Sequence, residues 1–111
     1  MKKGGVIILG GTDCAPEHDA EYNRWFNEVH IPMLMKFKGL KGVWRGKLLG
    51  AAGDQPKYLV MYQFDSQKDY EQYQESTERK AALEEMEESK KKMPFQVKWR
   101  LPFEIIKIWG K

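Results

Sequence analysis

His30 carries the most versatile chemistry in this sequence. An imidazole with an ordinary pKa near ~6.5 exchanges a proton around neutral pH. A well-placed general base contributes roughly 10²- to 10⁴-fold in rate. The structural alternative is a histidine that hydrogen-bonds a neighbouring loop where Pro32 frees a backbone carbonyl. Asn27 stands three residues earlier, which on an α-helix puts it on nearly the same face. Its amide could orient the ring or a substrate carbonyl, or simply be an exposed helix amide. Phe26 and Trp25 are aromatics at helical spacing, which suits core packing and also an apolar ligand wall. Further along, Trp44, Tyr58 and Tyr62 could line a cavity from strands. A phenol such as Tyr62 can donate a hydrogen bond to a developing oxyanion. Gln63 takes its place if the strand has the opposite phase. We therefore assign His30 as the candidate catalytic residue, with Asn27, Phe26, Trp44 and Tyr62 as candidate substrate-binding residues.

Cys14 is the only cysteine. A nucleophilic role with His18 or His30 needs a lowered pKa and a base within reach. The sequence places neither, so an incidental buried thiol is the simpler reading. Cys14 and His18 bring no third or fourth ligand with them, and no metal site is expected. Gly10-Gly11 follows an apolar run but lacks the rest of a phosphate-binding fingerprint. No cofactor is expected from these residues.

The elements that must position these side chains follow from periodicity. Val6 to Leu9 is a β-branched apolar run between glycines and reads as a buried strand, with residues 10–16 as a loop. Pro16 or Asp19 can open a helix. Tyr22, Trp25, Phe26, Val29, Met33 and Phe37 then give an amphipathic helix, kinked or restarted at Pro32 and ended by Gly39. Val43 to Leu49 is a strand candidate, Ala51 to Pro56 has turn chemistry, and Tyr58 to Phe64 is the clearest strand. Asp65 or Ser66 can cap the next helix, with Asp69 three residues after Ser66, and Thr77 suggests a second helix start. Pro94 stops helix formation. Phe95 to Ile105 alternates as a strand, with a change of phase before Ile106 that Pro102 could cause.

The order β, α, β, β, α(α), β is the split βαβ, or ferredoxin-like, arrangement: an α+β fold with an antiparallel sheet and helices on one face. Strand residues of both phases are apolar. The face without helices therefore needs a cover, and a second copy packed sheet to sheet is the economical one. A homodimer is expected.

With 111 residues the chain fits one domain, residues 1–111. Its 41% hydrophobic and 32% charged residues are those of a globular chain and not a disordered one. The net charge of +3 is small and the charges are mixed, which argues against nucleic acid. The basic run Lys90 to Lys92 follows acidic Glu84, Glu85, Glu87 and Glu88, an order that complements a helix dipole. No apolar run approaches the roughly 18 residues of a membrane span. Val6 to Leu9 is too short for a signal core, and no internal disulfide is possible. A cytoplasmic location is expected.

Trp25-Phe26, Asn27, His30-Ile31-Pro32 and Gly39-Leu40 together resemble the EthD-like group of dimeric α/β-barrel proteins. Lys38 stands where that group often has proline, and Asn27 where an acid is common. The resemblance implies a cleft for small aromatic, lactone or polyketide-like compounds, holding His30. It implies cofactor-free isomerase, cyclase or monooxygenase chemistry. A non-catalytic ligand-binding or dimerisation module, and haem binding, remain as alternatives within the wider barrel group.

Overall fold

The computed structural model describes residues 1–51 and 53–111. Strand β1 (Val6–Cys14) leads through a 3-10 turn (Pro16–His18) into α1 (Asp19–Trp25), a π-helical turn (Phe26–His30) and α2 (Ile31–Leu34). Strands β2 (Leu40–Lys47) and β3 (Tyr58–Phe64) form the hairpin. Helices α3 (Gln67–Gln74) and α4 (Thr77–Lys90) and strand β4 (Phe95–Glu104) complete the chain. The sheet order is β2-β3-β1-β4 and every pair is antiparallel. Each crossover helix thus returns with one strand left between, which is the ferredoxin-like arrangement expected.

Local chemistry explains the helix boundaries. The Asp69 N–H donates to Ser66 Oγ at 3.0 Å and the Arg79 N–H to Ser76 Oγ at 3.1 Å, so both later helices are N-capped. Pro32 has no N–H to give. The chain passes it by widening: the Ile31 N–H donates to the Phe26 carbonyl, five residues back. The restart expected at Pro32 takes the form of this π turn.

Two strands differ from the sequence reading. β1 does not stop at Leu9 but runs through both glycines to Cys14. The reason is close packing. A Cβ on Gly11 would lie 2.6 Å from Pro56 Cγ and 2.7 Å from Trp99 Cε2. Glycine there marks an approach of other groups and not a strand end. In β4 the change of phase falls at Lys98 and not after Ile105. Thr12 pairs with Val97 and Gly11 with Trp99, so Lys98 is the extra residue of a bulge. Pro102 lies opposite Ile8 on this edge strand, where a missing donor is tolerated. β2 begins at Leu40, ahead of the expected Val43. Of the expected 51–56 turn, residue 52 lies outside the described residues; Gly53 takes a φ of 60°, as turn glycines do.

The core lies between helices and sheet. Val6, Ile8, Val60, Tyr62, Phe64 and Phe95 meet Tyr22, Trp25, Phe26, Leu34 and Tyr73 there. The opposite sheet face carries Leu9, Leu59, Met61, Trp44, Trp99, Leu101 and Phe103. Leu101 is 51% exposed, Phe103 47% and Trp44 46%, and no helix among the described residues covers them. No described helix is long and apolar enough to cross a membrane.

Candidate functional site

A cavity of about 180 Å³ lies between the helices and the sheet. Phe26, His30 and Leu34 form one wall, from the helical run over 19–34. Thr12, Val60 and Tyr62 supply the sheet side, and Phe95 and Val97 come from β4 ahead of its bulge. Tyr73, Arg79, Leu83 and Met86 close it from α3 and α4, with Arg100 at the β4 edge.

His30 is only 5% exposed. Its ring stacks on Trp25 at 4.9 Å and 23°, and meets Phe26 edge-on at 5.1 Å. Nδ1 is enclosed and has no hydrogen-bond partner. Burial pushes the imidazole pKa down to about 4; Glu85 opposes this and Arg100 adds to it. Glu85 is itself engaged, accepting from Trp25 Nε1 at 2.8 Å and from the Ser89 hydroxyl at 2.5 Å. His30 is therefore neutral at pH 7. A buried N–H without an acceptor is costlier and rarer than a bare acceptor. The favoured tautomer leaves Nδ1 unprotonated and carries its proton on Nε2.

The phenols nearby are also held neutral. Burial raises the pKa of Tyr62 and of Tyr73, so both remain O–H donors. Tyr22 is fully buried, pairs with the Thr12 hydroxyl at 2.6 Å, and is pushed up to about 12 by burial.

Phe26, His30 and Tyr62 thus converge on one cavity. Asn27 and Trp44 do not join them. The wide π turn rotates Asn27 away from His30, and its Oδ1 accepts instead from Arg45 Nη1 at 2.9 Å. Trp44 pairs with Met61 on the helix-free face. Asn27 and Trp44 border a shallow groove with Ile31 and Val43. Gln63 also faces away from the helices, in register with Ile7. Arg45 lies over the Phe26 ring at 4.3 Å and the Tyr58 ring at 5.2 Å, held by aromatic faces. Arg79, Arg100 and Tyr73 were not singled out from sequence. Arg100 is hidden there by the bulge, which inverts its apparent face.

Tyr58 belongs to a separate cluster. Its hydroxyl donates to Asp19 Oδ1 at 2.6 Å, and Lys57 Nζ lies 3.0 Å from the same oxygen. The Cys14 thiol also points to Asp19, at 3.8 Å, and not to either histidine. Burial, then the Asp19 charge, raises its pKa. This is the reverse of an activated thiol. Ellman's reagent at neutral pH is expected to label Cys14 many-fold more slowly in native protein than in denaturant. Equal rates would show the thiol to be reactive. Among the described residues no group of three His, Cys, Asp or Glu side chains is placed to hold a metal ion.

Fold and cavity together define a ferredoxin-like α+β protein with a largely apolar cavity between helices and sheet. The chain belongs to the family described as "Domain of unknown function (DUF4286)", which matches residues 11–98. Among solved structures it is similar to an ethyl tert-butyl ether (EthD) family protein from Bacillus halodurans. That match has a TM-score of 0.67 and 16% identity, over 90% of this chain and 97% of that one. It is also similar to HapK from Hahella chejuensis, with a TM-score of 0.70 and 9% identity over 96% and 97% of the two chains. A dimeric ferredoxin-like protein from an uncultured marine organism gives a TM-score of 0.69 and 14% identity, over 96% and 98%. No curated protein matches the sequence. The EthD likeness read from Trp25 to Leu40 thus holds for the fold.

Proposed function

We propose that this protein is a cofactor-independent enzyme that binds a small ring compound in the His30 cavity. Isomerisation, cyclisation and oxygenation of such compounds can share an enolate-like intermediate. One observation carries the reading: a buried, unpartnered imidazole on the wall of an otherwise largely apolar cavity, with the Tyr62 phenol lining it too. Buried polar groups without partners are rare and costly; a ligand O–H could donate to the bare Nδ1, and the Nε2–H could donate to a ligand oxygen. A base with a pKa of about 4 is badly matched to pH 7. Neutral His30 therefore acts as a hydrogen-bond donor to the developing oxyanion, as neutral imidazoles elsewhere do, while the α-proton passes to solvent hydroxide.

The working unit in this reading is a homodimer of single-domain chains, packed through the exposed apolar sheet face, in a reducing cytoplasm. A non-catalytic ligand-binding module is the second reading. Haem does not fit: the macrocycle is several times larger than benzene, and ~150 Å³ already suits benzene.

The test uses cyclohexenone as a neutral probe, with α-carbon deuterium exchange in D₂O followed by NMR. Wild-type protein is expected to accelerate exchange, and His30→Leu to lose roughly 10²-fold of that acceleration. Equal acceleration by the variant would remove His30 from the mechanism. Binding without exchange would leave the ligand-binding module.

A further inference from the structure

We propose that the cavity is selective for a monocyclic anion, a single ring bearing one carboxylate, with Arg79 and Arg100 binding the carboxylate. This rests on the reading that the His30 cavity holds a ring compound, and it names the class.

Size sets the first limit. A dry cavity of ~150 Å³ accepts benzene. The 180 Å³ here admits one ring and a few further atoms, but not a fused-ring system. Phe26, His30 and Phe95 present ring faces and edges to such a ligand, and Leu83 and Met86 fill the remainder with apolar surface.

Charge sets the second. Arg79 and Arg100 both line the cavity, and no carboxylate does among the described residues. Neither guanidinium makes an ion pair among those residues. Each is placed over a phenol ring instead, Arg79 6.0 Å from the Tyr73 centroid and Arg100 5.8 Å from that of Tyr62. Arg79 Nε is enclosed with no acceptor. A guanidinium N–H in that condition lacks the partner that a carboxylate provides, and guanidinium–carboxylate bonds are among the stronger ones. Arg79 and Leu83 also line a solvent-open groove at α3 and α4, whose outer wall carries Lys80 together with Glu75, Glu84 and Glu87. The arginine thus borders both groove and cavity, and it is on the cavity side, which no carboxylate lines among the described residues, that an anion would meet it. Partial burial strengthens the attraction relative to open water.

The experiment is calorimetric titration of the full chain with benzoate, benzyl alcohol and 2-naphthoate near neutral pH. Benzoate is expected to bind at least ~10-fold more tightly than benzyl alcohol, as a charged hydrogen bond implies. Naphthoate is expected not to bind. Arg79→Gln and Arg100→Gln should each weaken benzoate roughly 10-fold while leaving benzyl alcohol unchanged. If one variant fails to fold, the other carries the comparison, and Arg100→Lys should restore part of the loss. Equal affinity for benzoate and benzyl alcohol overturns the anion assignment and leaves ring binding intact. Naphthoate binding overturns the size limit. Failure of all three to bind overturns this inference and the ring-binding reading together.

Discussion

Unfolding free energy is expected to fall by about 2–3 kcal/mol between pH ~7.5 and pH ~4.5 through His30 alone. The folded protein holds this imidazole at about 4, against an ordinary 6.5. Between those values the unfolded chain binds a proton that the folded one refuses. Stability therefore rises with pH across that window, is complete above about 6.5, and is lost as the pH falls towards 4. Asp19 works in the same direction but lower. The Tyr58 hydrogen bond, then that from Lys57, depresses its pKa below 3.8, so its contribution is lost only below that value. Guanidinium unfolding at the two pH values, on wild type and His30→Leu, isolates the histidine. The variant should lose most of the pH difference. An undiminished difference in His30→Leu would show that the imidazole titrates normally, and the neutral-imidazole account of the site would go with it.

Leu101→Glu with Phe103→Glu is expected to convert a two-chain particle into a single folded chain. Both side chains stand about half exposed on the sheet face that no described helix covers. By two-fold symmetry each substitution enters the interface twice, placing four carboxylates between apolar sheets. Desolvating unpaired charge costs several kcal/mol per ion. That exceeds what a standard interface has to spare, and dissociation at micromolar concentration follows. Light scattering gives the mass, and far-UV circular dichroism should show the fold retained. A wild-type mass of one chain at micromolar concentration would contradict the dimer, and a two-chain mass in the double variant would place the contact elsewhere.

Much of the fold was legible because most strands and caps obey local rules. β3 is bounded where its apolar run is bounded, and the Ser66 cap forms with Asp69 as its spacing implies. What escaped reading depends on partners distant in sequence. β1 continues through Gly10 and Gly11 because Pro56 and Trp99 close over them, and nothing local records that approach. The bulge in β4 left no mark because apolar residues lie on both sides of it. The site was legible in part for the same reason. His30, Phe26 and Tyr62 share a cavity, whereas Asn27 was placed by α-helical spacing that the π turn at Pro32 does not keep. Arg79 looks in sequence like any solvated helix cation; only α3 and β4 packing beside it gives it a cavity to line.

Lys98 gives the β4 bulge a meaning beyond strand geometry. Draw that one residue into the ladder instead of bulging it out, and every later side chain changes sides. Trp99 would take the inward place of Arg100 and plug the cavity with its indole. Arg100, Pro102 and Glu104 would replace Trp99, Leu101 and Phe103 on the open face, leaving it polar. Ligand site and assembly surface are thus jointly set by one residue staying out of register. Substitutions on either side can drift independently, but a one-residue slip that paired Lys98 with Gly11 would abolish both at once, whereas deleting Lys98 would keep both.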